Sequence, residues 1–249
     1  MKTSSTKKYI YSILGLFLVF FIWVIISTIK NDDYLFPSFY SIGKGLINII
    51  TTPTELSKLF TCFFRIIITL IVCIVIATIT SFIYFIIPNI IWFIRPIINI
   101  MKAIPFIIIS VYLWIIFFNN RIMAVYILCF LVIYPIILEG LIAAIDNIDK
   151  EIKDELAMLP KGPILKFTKV YFPLFMPYVT MTILQSFGLG IKVMIMGEYL
   201  FSIENTLGNS LIYYRDGNYD LILAWLILII ILVCLIDFLI KKIKEVLLR

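Results

Sequence analysis

The sequence predicts an all-α, polytopic membrane protein with about six spanning helices and a cytoplasmic coupling loop. Three observations predict it. The 249 residues are 63% hydrophobic and only 14% charged, whereas soluble domains are about half apolar and a quarter charged. The mean hydropathy is +1.11. The apolar residues also come in runs of about 20, the length a helix needs to cross a hydrocarbon core. Such runs leave no room for a soluble catalytic domain, so an enzyme is not expected. Residues 1–249 read as one transmembrane domain, with an N-terminal helix at 9–29 and a core at 59–249.

The elements follow in order. Tyr9–Ile29 is apolar after a basic start at Lys2, Lys7 and Lys8. It is too long for a signal peptide and has no small-residue cleavage site, so it reads as a retained first span. Pro37-Ser38 followed by Ile42, Leu46 and Ile49 predicts a short interfacial helix. Leu59–Ile87 is the second span. Pro88–Met101 reads as a brief turn with Arg95 and Pro96. Lys102-Ala103-Ile104-Pro105 opens a third span ending at Phe118. Ile122–Ile145 is a fourth span, interrupted by Pro135. Val170–Phe201 is a fifth, bent by Pro173 and Pro177. Ser202–Tyr219 is a polar loop, and Asp220–Ile240 is a sixth span.

Short loops rich in Lys and Arg stay in the cytoplasm. The N-terminus, the Arg95–Lys102 turn, the stretch after Asp149 and the tail with Lys241, Lys242, Lys244 and Arg249 are the basic ones. Six alternating spans then place both termini inside. That placement accounts for the net charge of +6 without nucleic acid as a partner. Cys62, Cys73, Cys129 and Cys234 lie within apolar runs at no metal-ligand spacing and read as small apolar fillers. With histidine also absent, no metal or cofactor is expected.

The stretch Asp149–Pro177, DKEIKDELAMLPKGPILKFTKVYFPLFMP, is charged and patterned between apolar runs. Asp149 can cap a helix on which Ile152, Leu156 and Leu159 form one apolar stripe. Pro160-Lys161-Gly162-Pro163 then forces a turn, because proline lacks a backbone donor and glycine tolerates bent backbone. This stretch resembles the cytoplasmic loop of permease subunits of bacterial binding-protein-dependent ATP-binding-cassette importers. That loop reads Glu-Ala-Ala, three residues, Gly, nine residues, Ile-x-Leu-Pro. Anchored on Pro173, Val170 and Phe172 take the Ile and Leu positions. Asp154, Glu155 and Leu156 take the Glu-Ala-Ala positions, and Pro160 takes that of Gly. Gly162 falls two residues late and Glu155 one residue late. Lys102-Ala103-Ile104-Pro105 is similar to the Arg-Ala-Ile-Pro of the nitrate, sulfonate and taurine branch. Gly197-Glu198-Tyr199-Leu200 resembles its Ala-Glu-Met-Leu.

The resemblance implies a multi-pass protein of the bacterial cytoplasmic membrane, working as two copies. Two ATPase subunits would bind the loop at Asp154, Glu155, Leu156, Ala157, Leu159, Pro160, Lys161 and Gly162 of each copy. An extracellular or periplasmic binding protein would deliver the solute, and Gly162→Pro or charge reversal at Glu155 should uncouple ATP hydrolysis from uptake. The chain has no phosphate-cradling Gly-rich loop of its own, so energy would arrive from that separate subunit.

Charges inside a span cost about 2.5–3.5 kcal/mol on insertion scales, so each needs a reason. Arg65, Glu139, Gln185, Lys192 and Glu198 are the candidate path residues. Gln185 and Lys192 lie two turns apart on one helix face, with Gly188 and Gly190 between. They line a path for a small anionic solute, or Lys192 pairs with a carboxylate such as Glu139 and locks helices. Glu198 gates the outer end or faces water. Arg65 snorkels outward or serves the path. Two rival classes remain open. One is an ion-gradient-driven transporter or channel, to which six spans without visible repeats are a poor match. The other is a membrane scaffold that transports nothing.

Overall fold

The computed structural model describes residues 5–30, 32, 35–158, 160 and 162–247. Every regular element among them is helical. In chain order these are α1 (Ser5–Lys30), α2 (Phe39–Thr51), α3 (Pro53–Ile86), α4 (Ile91–Ala103), α5 (Phe106–Ile116), α6 (Arg121–Asp146), α7 (Lys150–Met158), α8 (Pro163–Lys166), α9 (Phe172–Leu200), α10 (Leu207–Tyr214) and α11 (Tyr219–Leu247). A 3₁₀ turn at Pro88–Ile90 precedes α4, and a π turn at Phe167–Tyr171 precedes α9.

Among the described residues, four helices are long and apolar enough to cross a membrane: Pro53–Ile86, Arg121–Asp146, Val179–Leu200 and Tyr219–Leu239. The pair Pro88–Ala103 and Phe106–Ile116, bent by 92°, makes a fifth if it counts as one span. Helix α1, 26 residues long, covers the expected first span Tyr9–Ile29, and Phe20–Lys30 is a shorter apolar stretch within it.

The contacts divide the chain into two units. One comprises Met1–Leu56 with Leu211–Ile231, the other Ser57–Ser210 with Leu232–Arg249. In the first, the expected interfacial helix is α2. Ser38 is its N-cap and accepts from the Ser41 backbone N–H at 3.3 Å. Ile42 and Ile49 are buried and Leu46 half-buried, as the sequence spacing required. The Phe20 ring stacks on Phe39 at 4.2 Å. Trp23 Nε1 donates to the Pro37 carbonyl at 3.3 Å, so the chain folds back after α1.

In the second unit, α6 and α9 form the most extensive helix pair. Space for a Cβ is closed at Gly140 by Thr182, at Gly190 by Ile133 and at Gly197 by Val125. Residue numbers rise on α6 as they fall on α9, which fixes an antiparallel register. Small residues let apolar helices approach where no hydrophobic effect pulls them together. Ile66, Leu70, Cys73 and Ala77 of α3 are buried, one stripe at helical spacing. Cys62, Cys73 and Cys129 are buried free thiols and Cys234 is exposed.

Three expectations change. The expected turn Pro88–Met101 is helical, because Pro88 stands at a helix start, where its missing N–H costs nothing. The third span does not begin at Lys102. Pro105 cannot continue a helix and pushes Ile104 into extended backbone at φ −64°, ψ 121°, so the chain breaks between α4 and α5. Pro135 does not interrupt α6, which runs unbroken from Arg121 to Asp146. Neighbouring groups satisfy the backbone around an intramembrane proline.

Candidate functional site

A polar cluster of the larger unit forms where α9 ends and α10 begins. Ser202 and Asn205 adopt positive φ, at 48° and 57°, and turn the chain back on itself. Thr206 caps α10 by accepting from the Asn209 backbone N–H at 3.2 Å. Glu198, two residues before the α9 end, accepts from the Gly208 N–H at 3.2 Å. Its other oxygen accepts from Arg65 Nη1 of α3 at 2.7 Å. A carboxylate at a helix N-terminus is favourable, and the guanidinium supplies the countercharge that a buried carboxylate requires.

Gly208 is required by contact. A Cβ there would stand 2.5 Å from both the Ile195 carbonyl oxygen and the Tyr199 nitrogen, so the start of α10 lies directly on the α9 backbone. Lys58, seven residues before Arg65 and therefore on the same face of α3, donates to Ser210 Oγ at 2.8 Å. Arg121, at the start of α6, donates to the Phe201 carbonyl at 3.3 Å, a cation on the C-terminal end of α9. Its guanidinium also lies 5.3 Å from the Phe118 ring centre. Three helices are thus tied to one reversal of the chain.

This corrects two sequence expectations. The Arg65 side chain is only 17% exposed and that of Glu198 only 1%, so neither faces water. A buried carboxylate draws its cation inward, and that outweighs snorkelling. Glu139 does not pair with Lys192 either. Lys102 Nζ takes both its oxygens at 2.9 Å, because the bend before Pro105 brings the end of α4 alongside α6.

Gln185 and Lys192 are both exposed on α9. With Met181 and Met196, also exposed, they make one narrow stripe. Lys192 has no ion pair among the described residues. Lys192 follows Val179, where the span begins, by thirteen residues, so it stands well inside a segment apolar enough to cross.

A second polar group lies between α4 and α6. Tyr84 Oη donates to Asp146 Oδ1 at 2.6 Å. A cleft of about 290 Å³ is lined by Ile91, Arg95, Ile98, Asn99, Glu139, Ile142, Ala143 and Asp146.

The stretch expected to couple to an ATPase is a helical hairpin of α7 and α8. Leu156 is buried at 6% and Ile152 half-buried, while Asp154, Glu155, Pro160 and Gly162 are exposed. Met158 is 85% exposed. The backbone of Ala157 is helical; Leu159 and Lys161 lie outside the described residues. Gly162 has φ −63° and ψ 157°, within the range of proline, and nothing stands within 4 Å of a Cβ placed on it. A proline there therefore does not strain that residue's own backbone.

The π turn that follows accommodates Pro173, whose ring would clash with the Lys169 carbonyl in a regular α-helix. It carries Phe167 and Tyr171, both buried. The Phe167 ring lies 5.0 Å from Phe82, and the Tyr171 ring 4.5 Å from Phe85. The base of the hairpin is thereby fixed to the end of α3.

Sequence reasoning missed α10, because Ser202–Tyr219 looked uniformly polar. Thr206 with Asn209 three residues on was the available cap signal. The need for glycine at 208 had none, since the close approach is tertiary. The Tyr84–Asp146 bond had none either.

No curated protein matches the sequence. The fold is similar to a solved structure described as an inward-facing conformation of the MetNI methionine ABC transporter. The TM-score is 0.62 at 17% identity, covering 80% of this chain and all of that one. Over residues 90–245 the sequence matches the family of binding-protein-dependent transport system inner membrane components, and the chain belongs to that family.

Proposed function

We propose that this chain is the permease subunit of an ATP-binding-cassette importer, working as two copies with two ATPase subunits and a solute-binding protein. In this reading it sits in a bacterial cytoplasmic membrane with both termini inside. The exposed stripe of Met181, Gln185, Lys192 and Met196 is the part of the path that the second copy closes. A lysine inside a span cannot face lipid without a cost of about 2.5–3.5 kcal/mol. A wet path shared by two subunits removes that cost and favours an anionic solute. Such a solute fits the nitrate, sulfonate and taurine branch that the Lys102–Pro105 stretch resembles.

The observation that carries this reading is the hairpin. Its outer face shows Asp154, Glu155 and Met158 to solvent, while its base is clamped by Phe82 and Phe85. Docking of that face on an ATPase moves α3 and α9 together, because both meet at the clamp. The family assignment favours this over a gradient-driven transporter or a scaffold.

The test is co-purification. The wild-type permease should bring down its ATPase, and the pair Asp154→Lys with Glu155→Lys should not, while still inserting in the membrane. An ATPase retained in full by that variant would overturn the coupling assignment. The path assignment is tested separately by Lys192→Met. Uptake should fall at least tenfold with ATPase binding unchanged, and unaltered uptake would remove Lys192 from the path.

A further inference from the structure

The break between α4 and α5 borders a cavity of about 410 Å³, within the range of about 300–1,000 Å³ that small-molecule sites occupy. Met101 and Phe106 line it from either side of the break, Leu131 and Val132 from α6, and Leu189 and Val193 from α9. Leu131 and Val132 stand halfway along α6, so the cavity lies within the span rather than at its rim. A broken helix is tolerated at that depth only where it is buried in protein or lines a wet cavity. Every side chain of the wall is apolar except Lys102, whose ammonium is bound by both oxygens of Glu139. The wall therefore offers apolar surface and one cation that is already neutralised.

A second cation stands beside it. Residues three apart on a helix are surface neighbours, about 5–6 Å between Cβ atoms, so Lys192 adjoins Leu189 and directly precedes Val193. A lysine stem laid along Leu189 carries its ammonium to the mouth of the cavity. Lys192 is exposed and has no ion pair among the described residues. Its depth argues against a lipid headgroup as the partner. The span runs from Val179 to Leu200, so Lys192 lies about 20 Å from one end and about 12 Å from the other at the rise of an α-helix. Lipid headgroups stay outside the hydrocarbon layer. A cation held this far inside, next to an apolar cavity, matches a soluble anion that carries an apolar body.

We propose that this cavity seats the apolar body of an organic monoanion whose head group is held by Lys192. That this anion is the transported solute rests on the path reading above. The cavity narrows that solute, because an inorganic anion such as nitrate has nothing to place in it. Leu131 and Leu189, half-buried on two different helices, then set how large the body can be.

The experiment dialyses the permease–ATPase complex in lipid nanodiscs against radiolabelled hexanesulfonate, methanesulfonate and hexyltrimethylammonium, with empty nanodiscs as the blank. Each buried methylene contributes about fourfold, so hexanesulfonate should bind at least thirtyfold more tightly than methanesulfonate. Lys192→Met should weaken hexanesulfonate at least tenfold. Leu131→Trp and Leu189→Trp, which fill the cavity from different helices, should each bring hexanesulfonate down to the methanesulfonate level while the ATPase stays bound. Equal binding of the two sulfonates, or full hexanesulfonate binding in both tryptophan variants, would overturn the assignment. Hexyltrimethylammonium bound as tightly as hexanesulfonate would reduce the cavity to lipid-like contact and overturn it as well. Uptake separates this site from the path. Loss of uptake in Lys192→Met with equal binding of the two sulfonates removes the cavity and leaves the path. Unaltered uptake in Lys192→Met, with hexanesulfonate binding weakened as expected, removes the path and leaves the anion site.

Discussion

The two ends of α9 are built on opposite principles. At its C-terminal end the groups that tie the reversal to its neighbours have partners within the chain: Glu198 with Arg65 and Gly208, Lys58 with Ser210, Arg121 with Phe201. The hairpin before its N-terminal end keeps its charged face in solvent, and α7 buries Leu156 while leaving Asp154 and Glu155 outside. The first region is complete in one chain. The second, in the function proposed above, is the surface that meets an ATPase. Substitutions should therefore register as lost stability in the first region and as lost partnership in the second.

The contrast breaks most sharply at the buried ion pair. Glu198→Ala leaves the Arg65 guanidinium without its countercharge, and removing one partner of such a pair costs about 3–5 kcal/mol. Thermal unfolding in detergent should show it. Replacing both with apolar residues of similar size, Arg65→Met with Glu198→Met, should recover most of the loss, because no unpaired charge remains. A double variant as unstable as the single one would mean that the pair is not what holds the reversal.

Gly208→Ala comes next. Its Cβ would meet backbone atoms that cannot rotate away, so a cost near the top of the range of about 1–3 kcal/mol for overpacking is expected. Gly190→Ala sharpens the point. Its Cβ would meet the tip of Ile133, at 2.9 Å, and a side chain can yield, so the loss should be clearly smaller than at Gly208.

The smallest effects belong to exposed charges. Lys102→Gln breaks a pair in which both side chains are nearly half exposed, and exposed pairs contribute about 0–1 kcal/mol. Glu155→Lys should change the unfolding midpoint least, within about 0.5 kcal/mol, while reducing ATPase capture. A large loss of stability in Glu155→Lys would dissolve the distinction between the two regions.

Much of this was legible in the sequence and some was not, for physical reasons. Spans announce themselves through composition, so α3, α6 and the apolar parts of α9 and α11 fall near their expected limits. Helix α2 was legible down to Ile42 and Ile49, because the spacing of apolar residues and the Ser38 cap are local signals. Prolines misled in both directions. Pro96 was read as part of a turn and Pro135 as an interruption, yet helix runs through both, while Pro105, read as opening a span, breaks one. Proline forbids one hydrogen bond, and whether a helix survives that loss is decided by its neighbours. The charged residues of the spans were legible as a set. Their pairing was not, since Glu198 and Arg65 are 133 residues apart and no local pattern selects Lys102 over Lys192 for Glu139.

Helix α6 carries a further consequence. Arg121, bound to the end of α9, and Glu139, bound to Lys102, stand eighteen residues apart on it, about 27 Å at the rise of an α-helix. A bilayer's hydrocarbon layer is about 30 Å thick. The helix is in effect a caliper with a charged jaw at each end, and the bilayer that fits between the jaws is the one this protein is dimensioned for. In a markedly thicker one a jaw must sink into oil or the helix must stand more upright, so transport should have an optimum in lipid chain length.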